Sequence, residues 1–330
     1  MEQDPVLSSF LKYKEFTVNK KYIIAVLVAF LVLCVFSILG APPRHFPRET
    51  VVSILKGETL RTVAQKLETG NYIRFPSLFE FAISIGGSER QLVSGDYFID
   101  TSMSVFSLAN IFTHKENRLD PIRVTLPEGM TVREIAEKAD KELPSFDSEE
   151  FMKLAQGTEG YLFPDTYFFF RTADAEEVFS VLSQAFKKQT AELKDKISAS
   201  GHTLSEIIIM ASLIEKEAGK DEERGIISGI LWKRIVQRIP LQVDAPFSYL
   251  LGKSSSELTT KDLAVDSLYN TYKYRGLPPK PIGNPGLASI HASLEPIASP
   301  YFFYLHGSDG TIHYAKTFEE HKRNKALYLK

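Results

Sequence analysis

An apolar segment that ends in ionisable residues is the clearest candidate for chemistry in this sequence. Residues 204–219 read LSEIIIMASLIEKEAG. All residues from 207 to 214 except one serine are apolar, which predicts a helix that is buried around most of its circumference. Ser205 is a candidate N-cap and Gly219 a candidate stop. The carboxyl groups near the end of this helix are therefore the first residues to consider.

Glu217 lies on the apolar side of the predicted helix. Met210, Leu213 and Ile214 precede it by seven, four and three residues, spacings that share one helix face, whereas Glu215 points about 200° away. A carboxyl among apolar neighbours has a raised pKa and can act as a general acid, which glycosidic-bond cleavage requires. The same residues also fit a helix end with hydrated glutamates, and the pattern alone leaves both interpretations open.

Three further segments combine aromatic rings with amide, phenol or carboxyl groups: EGYLFPDTYFF (159–169), LQVDAPFSY (241–249) and YNTYKYRGLPPKPIGNPG (269–286). Such groups can hydrogen-bond to a ligand, and aromatic rings such as Tyr161 can stack on a ligand or pack in a core. Four prolines and three glycines within 276–286 exclude a helix or a central strand. That stretch therefore predicts either a stiff wall of a cleft or a connector.

The N-terminal region predicts a membrane anchor. Residues 22–41 carry no charge and, as a helix, would reach roughly 30 Å, the thickness of a bilayer core. Lysines concentrate before this segment, which favours a cytoplasmic tail over 1–21 and an exported remainder. A cleaved signal peptide and a buried core helix are the competing interpretations. The Pro-rich residues 42–50 predict a linker.

An internal repeat follows the linker. Residues 56–67 (KGETLRTVAQKL) match residues 128–139 (EGMTVREIAEKA) at an offset of 72. Each copy predicts a strand, a glycine turn and a short helix capped by threonine. This order resembles the LysM module, which often binds amino-sugar polymers, and it also fits a purely structural unit. We predict a LysM-like subdomain over 51–118 and a second domain over 119–330.

Composition excludes some classes of function. The formal net charge of −2 gives no indication of a nucleic-acid partner. The seven histidines show no metal-binding motif, so neither a metal nor another cofactor is predicted. A C-terminal hairpin over 301–317 places His313 in its second strand, where a lone histidine is more often structural.

The segments together resemble a known family. MASLIEKEAG, then ERGIISGILWKRI and LQVDAPFSY, with EGYLFPDTY before and NTYKYRGLPPKPIGNPG after, are similar in order and spacing to the MltG-type (YceG-like) endolytic murein transglycosylases. The match departs where LQVDAPF replaces the family's usual LQ(T/S)DPTV, so the shape of that loop and its fine substrate contacts are expected to differ. The resemblance implies that Glu217 is the acid/base. It also implies substrate contacts at Asp165, Tyr167, Gln242, Asp244, Tyr249, Asn270, Tyr272 and Asn284.

The resemblance also implies an overall plan. We expect an α+β protein with a single transmembrane helix, a LysM-like α/β subdomain and a mixed α/β catalytic domain outside the cell membrane. The expected reaction cleaves the MurNAc–GlcNAc bond within nascent peptidoglycan strands and leaves 1,6-anhydro-MurNAc ends, which would terminate strand elongation. Penicillin-binding proteins of the wall-synthesis machinery are candidate partners. The alternatives are a non-catalytic glycan-binding scaffold and a muramidase that uses water.

Overall fold

The structure, a computed structural model, describes residues 20–85, 92–253 and 257–329 of the 330-residue chain. Thirteen α-helices and three small antiparallel sheets in these residues give a mixed α/β architecture. The chain divides into two compact units, Met1–Asp120 and Pro121–Lys330, each with its own hydrophobic core. Most of the predicted cytoplasmic tail lies outside the described residues.

The first unit combines an N-terminal helix with a small layer of helices on a sheet. Its antiparallel sheet has the order β1-β2-β3, with Val52 opposite Tyr97. Its elements are α1 (Lys20–Leu39), β1 (Thr50–Ile54), α2 (Leu60–Thr69), α3 (Pro76–Ile85), β2 (Gly95–Ile99), α4 (Val105–His114) and β3 (Arg118–Leu119).

Helix α1 is the predicted apolar segment, shifted two residues toward the N-terminus. It is 20 residues long with a mean hydropathy of 3.1, and none of it is buried in the protein. Among the described residues, it is the one unbroken helix long and apolar enough to cross a membrane. Its length and exposure are what a membrane anchor requires.

The strand–turn–helix prediction for the repeat is confirmed in both units. Gly57 and Gly129 have φ values of 92° and 79°, which side chains rarely adopt. The hydroxyl of Thr59 accepts the Thr62 N–H at 3.2 Å and so caps α2. Thr131 caps the equivalent helix of the second unit. No observation here tests whether the first unit is a LysM module, which stays a prediction.

The second unit is mainly helical. Strands β4 and β5 form one antiparallel ladder, and β6 and β7 form the predicted C-terminal hairpin. Its elements are β4 (Ile122–Thr125), α5 (Val132–Glu142), α6 (Ser148–Leu154), β5 (Thr166–Phe169), α7 (Ala175–Ala191), α8 (Lys194–Ser200), α9 (Leu204–Glu217), α10 (Asp221–Val236), α11 (Ala245–Leu251), α12 (Leu287–Leu294), β6 (Phe303–His306), β7 (Ile312–Ala315) and α13 (Phe318–Tyr328).

Three details of the predicted helices were wrong. Apolar residues at helical spacing over 174–199, such as Val178 and Leu182, predict one surface helix, but the structure divides this stretch into α7 and α8, and Leu193 between them turns into the core. Helix α9 is capped by Thr203 and not by Ser205, because Thr203 and Glu206 exchange hydrogen bonds in a capping box. Its last helical residue is Glu217, and Ala218 is already extended, so Gly219 is not the stop.

Helix α9 is the central helix of the second unit. Every residue from Ile207 to Ile214 is buried, as predicted, and α10, α11 and α12 pack against it. Helix α10 in turn lies very close to the chain at Ile297. A Cβ atom added at Gly229 would stand 2.0 Å from the Ile297 carbonyl oxygen, and one at Gly225 would stand 2.6 Å from the Ile297 side chain. Backbone packing there requires glycine at 229.

We predict that Gly229→Ala destabilises the second unit more than Gly225→Ala does. Alanine gains about 1 kcal/mol over glycine in a helix, but overpacking costs about 1–3 kcal/mol. At 225 the flexible Ile297 side chain can move aside, whereas at 229 the backbone itself must shift. Thermal unfolding of the two variants in the same detergent measures the difference. Equal midpoints for both variants would contradict this packing.

Candidate active site

Glu217 is the last residue of α9, and its side chain is packed against residues of α11 and β6. Its carboxyl is surrounded by protein, yet the residue keeps partial access to solvent. The Tyr304 hydroxyl donates a hydrogen bond to Glu217 Oε2 at 2.9 Å, and the Ala245 N–H donates a second. Asp244 and His306 lie close enough to act on it through their charges. A carboxyl in this setting is held in position and can still meet a substrate.

Burial raises the pKa of Glu217 above its usual 4.5. The negative charge of Asp244 raises this pKa further. The hydrogen bonds from Tyr304 and Ala245 and the charge of His306 lower it, but burial is the largest effect and the pKa stays raised. Glu217 can therefore hold a proton at a pH where an exposed glutamate has lost it.

Strand β6 supplies two polar side chains on one face, since Tyr304 and His306 are two residues apart. His306 Nε2 lies 3.1 Å from Glu223 Oε2. That carboxylate also accepts the N–H groups of Gly219 and Lys220 at 2.9 and 3.1 Å. The hairpin is thus joined to the turn between α9 and α10, directly after Glu217.

Tyr304 and His306 were not predicted from the sequence, and His313 was the histidine that the sequence placed in this hairpin. His313 lies on β7, whereas Tyr304 and His306 lie on β6. The His313 ring stacks on the Tyr328 ring, with centroids 3.5 Å apart. The available signal was the alternation of Tyr304 and His306 in YFFYLH, but nothing local links them to a helix 87 residues away.

The predicted residues Asp244 and Tyr272 do lie beside Glu217. Asp244 stands at the start of α11, and the Tyr272 hydroxyl donates to its Oδ1 at 2.6 Å. Burial and the Asp244 carboxylate raise the pKa of Tyr272, so this phenol stays protonated and remains a donor. The pair fixes a negative charge near Glu217.

Glu215 takes a different role, although it is two residues from Glu217. Its side chain is only 6 % exposed and accepts from Arg224 Nη2 and from the Gly286 N–H, both at 2.9 Å. It thereby joins α9 to α10 and to the start of α12. A buried carboxylate with a guanidinium partner supports the fold, and both oxygens of Glu215 already accept a protein hydrogen bond.

Asn270 and Asn284 are fully buried, and their amides are occupied by protein groups. Asn270 donates to the carbonyls of Leu263 and Val265 at 2.9 and 2.8 Å and accepts two backbone N–H groups. Asn284 accepts the Leu162 N–H at 2.9 Å and donates to the Met130 carbonyl at 2.9 Å. This geometry supports positioning of loops and gives no direct route to a substrate.

The remaining predicted residues differ in exposure. Gln242 is exposed, in a left-handed conformation with φ 52°, and Asp165 is exposed too. The Tyr167 hydroxyl donates to the Phe163 carbonyl at 2.7 Å, which occupies its polar end. Tyr249 is half-buried, and burial raises the pKa of its phenol to about 12. Gln242 and Asp165 are thus the two whose side chains most readily meet a large ligand.

Glu159 is a second carboxyl with an altered pKa. Burial raises the pKa of Glu159 to about 7, against hydrogen bonds from the Val132 N–H and the Tyr249 hydroxyl. It lies 3.1 Å from the Val132 N–H at the start of α5 and 3.3 Å from Asn284 Nδ2. Glu159 was not predicted as a site residue, because four segments that are distant in the sequence form its environment.

Comparisons with known proteins agree with this organisation. The model of the YceG-like family matches residues 52–327. A protein of Bacillus subtilis named endolytic murein transglycosylase is 27% identical over 305 residues, which cover 84% of each chain. One of Streptococcus pneumoniae with the same name is also 27% identical, and the match covers 84% of this chain and 58% of that relative. A crystal structure of a YceG-like protein from Listeria monocytogenes superposes with a TM-score of 0.57 at 28% identity, covering 83% of this chain and 98% of its own.

We predict that two substitutions beside Glu217 shift the pH dependence of glycan cleavage in opposite directions. A general acid must be protonated, so activity falls as pH rises through its pKa. Tyr304→Phe removes a hydrogen bond that lowers the Glu217 pKa, and the basic limb should move up by about one pH unit. Asp244→Asn removes a negative charge that raises this pKa, and the limb should move down.

The pH profiles of kcat/KM for the two variants and the unaltered chain measure these shifts. Each variant keeps nearly the shape of the original residue. If disturbed packing caused the shifts, the basic limb would move in the same direction in both variants. A basic limb unmoved in both variants would show that Glu217 is not the titrating acid.

Proposed function

This chain belongs to the YceG-like family, and on that premise we propose that it is an endolytic murein transglycosylase. Relatives of that name match most of its length. The observation that carries the proposal is the carboxyl of Glu217, enclosed at a helix end with a raised pKa and still reachable from solvent. Glycosidic cleavage needs such a proton donor, because the leaving sugar oxygen is a poor leaving group until it is protonated.

In the first step, Glu217 donates its proton to the oxygen that joins a MurNAc to the next GlcNAc. The bond from the MurNAc anomeric carbon to that oxygen breaks, and positive charge develops on the sugar ring. The carboxylate left on Glu217 accepts the hydrogen bonds of Tyr304 and Ala245, which are already in place. These donors stabilise the charge that forms on Glu217 without rearrangement.

In the second step, the Glu217 carboxylate takes the proton from the 6-hydroxyl of the same MurNAc. That oxygen forms a bond to the anomeric carbon and closes the 1,6-anhydro ring. Glu217 ends the cycle protonated, and no water is consumed. One carboxyl therefore serves first as acid and then as base.

Asp244 supplies the second negative charge of the site. Its carboxylate, held by Tyr272 at 2.6 Å, stabilises positive charge on the sugar ring through space. The same group is the natural base for a water molecule, and its presence favours the muramidase reaction as the second candidate. The chemical form of the new strand end distinguishes the two reactions.

The surroundings of Glu217 support a division of labour among the other residues. Gln242 and Asp165 are exposed and contact the glycan in our proposal, together with Tyr249 and Tyr167 where their rings reach the surface. Asn270 and Asn284 position the loops that form the walls.

The cellular setting is part of the same proposal. Helix α1 anchors the chain in the cell membrane with the N-terminus in the cytoplasm, and the second unit works on the outer side, where murein lies. The first unit binds glycan as a LysM-like module. Penicillin-binding proteins of the wall-synthesis machinery are the partners of the protein as a whole. Cleavage within nascent strands would end their elongation.

We predict that Glu217→Gln abolishes cleavage and preserves folding. Loss of a general acid lowers rates by about 10²–10⁴-fold, and glutamine is nearly isosteric. Mass spectrometry of murein digests measures the products. The unaltered chain should yield anhydro-MurNAc ends, reducing ends would establish the muramidase, and retained binding without new ends would establish the scaffold. Cleavage at the original rate by this variant would refute the assignment of Glu217.

Glu215→Gln is the matched control. It breaks the buried ion pair with Arg224, which costs about 3 kcal/mol, so its unfolding midpoint should fall. Its cleavage rate per folded molecule should stay close to that of the unaltered chain. The two variants, two residues apart, should therefore separate catalysis from stability.

A further inference from the structure

An apolar groove lies in the first unit beside the end of α1. It has a volume of about 390 Å³, and its lining residues are Phe36, Leu39, Phe75, Ser77, Leu78 and Phe81. Two of these belong to α1, and the others belong to α3 or directly precede it. All but one are apolar, so the groove offers almost no hydrogen-bonding group to water.

The face of α3 that borders the groove is exposed. Ser77, Phe81 and Ile85 follow one another at spacings of four along this face, and Phe81 and Ile85 are 43% and 68% exposed. The opposite face buries Phe79 and Ile83 in the core of the unit. Helix α3 is thus apolar on both sides, which is typical of a helix with a second apolar neighbour.

The position of α3 along α1 indicates what that neighbour is. Twenty helical residues are about 30 Å long and match the hydrocarbon core of a bilayer. Phe36 lies in the last turn of α1, and its ring centroid is 5.7 Å from that of Phe81. If α1 spans the membrane, Phe81 lies at the level where the hydrocarbon core ends.

Basic side chains stand where α1 leaves this level. Arg44 and Arg74 are both exposed, and Arg74 Nη2 donates to the carbonyl of Pro42 at 2.8 Å. Guanidinium groups just beyond a membrane-spanning helix are suited to lipid phosphates. If α1 spans the membrane, the apolar face of α3 therefore lies at the level of the lipid acyl chains, and the two arginines lie at the level of the lipid headgroups.

We propose that α3 is an interfacial helix. Its face of Ser77, Phe81 and Ile85 inserts into the leaflet at which α1 ends, acyl chains fill the groove, and Arg44 and Arg74 bind lipid phosphates. This inference rests on the proposed anchor and not on the catalytic role of Glu217. The first unit is then seated on the bilayer by two neighbouring elements, which limits its rotation about α1.

Spin labels on the full-length chain in phospholipid vesicles test the proposal. Cys34→Ser removes the single native cysteine, and Ser77→Cys or Ile85→Cys then introduces one label site on the exposed face of α3. Gln65→Cys, on the exposed face of α2, is the matched control. Collision with oxygen, which concentrates in lipid, is compared with collision with a water-soluble nickel chelate.

Labels at 77 and 85 should collide more with oxygen and less with nickel than the label at 65. Nickel accessibility at 77 and 85 equal to that at 65 would overturn the proposal. Spin–spin broadening at 85 that grows with the protein-to-lipid ratio would also overturn it, because a second copy of the chain would then cover the face.

The same vesicle samples are also assayed for murein cleavage. Lipid contact at 77 and 85 and cleavage of murein are separate results, so failure of one is distinguished from failure of the other. All three label sites are exposed, so labelling leaves the core intact, and circular dichroism confirms it.

Discussion

A carboxylate enclosed by protein loses the hydration that keeps its pKa near 4.5, and only the groups around Glu217 can replace that hydration. Helix α9 imposes this enclosure, because residues Ile207–Ile214 are buried on every side and the helix cannot turn to place Glu217 in water. Helices α10, α11 and α12 hold α9, and β6 supplies the replacement donor at Tyr304. These helices and β6 together keep the Glu217 carboxyl enclosed, which is what raises its pKa.

Loops as well as helices pack around α9, and the buried backbone groups of these loops need hydrogen-bond partners. Side chains provide them. The Thr271 hydroxyl accepts the Val243 N–H at 3.1 Å and donates to the Val243 carbonyl at 2.8 Å, and Ser212 accepts the Ile282 N–H at 3.1 Å. Asn270 and Asn284 act in the same way. This explains why polar side chains such as Asn270 and Asn284 are buried: they fix the loops that carry Asp244 and Gln242 and the proline-rich stretch 276–286.

Local sequence rules predicted the local features of this protein. The burial of α9, the threonine caps of α2 and α5, the C-terminal hairpin and the apolar α1 all follow from periodicity and capping. The break between α7 and α8 was missed, because the burial of Leu193 depends on tertiary packing. The role of Tyr304 was not predicted for the same reason, because its hydrogen bond to Glu217 joins residues 87 positions apart. Periodicity left a hydrated Glu217 open, and only tertiary structure shows its enclosure.

Infrared spectroscopy can observe the protonation state of the Glu217 carboxyl directly. A difference spectrum between the unaltered chain and Glu217→Gln, recorded across a pH series, isolates the carbonyl stretch of this one protonated carboxyl from that of Glu159. We expect this band to persist above the pH at which exposed glutamates ionise, and to disappear as the Glu217 carboxyl ionises. A band that is already lost at the pH where exposed glutamates ionise would contradict this expectation.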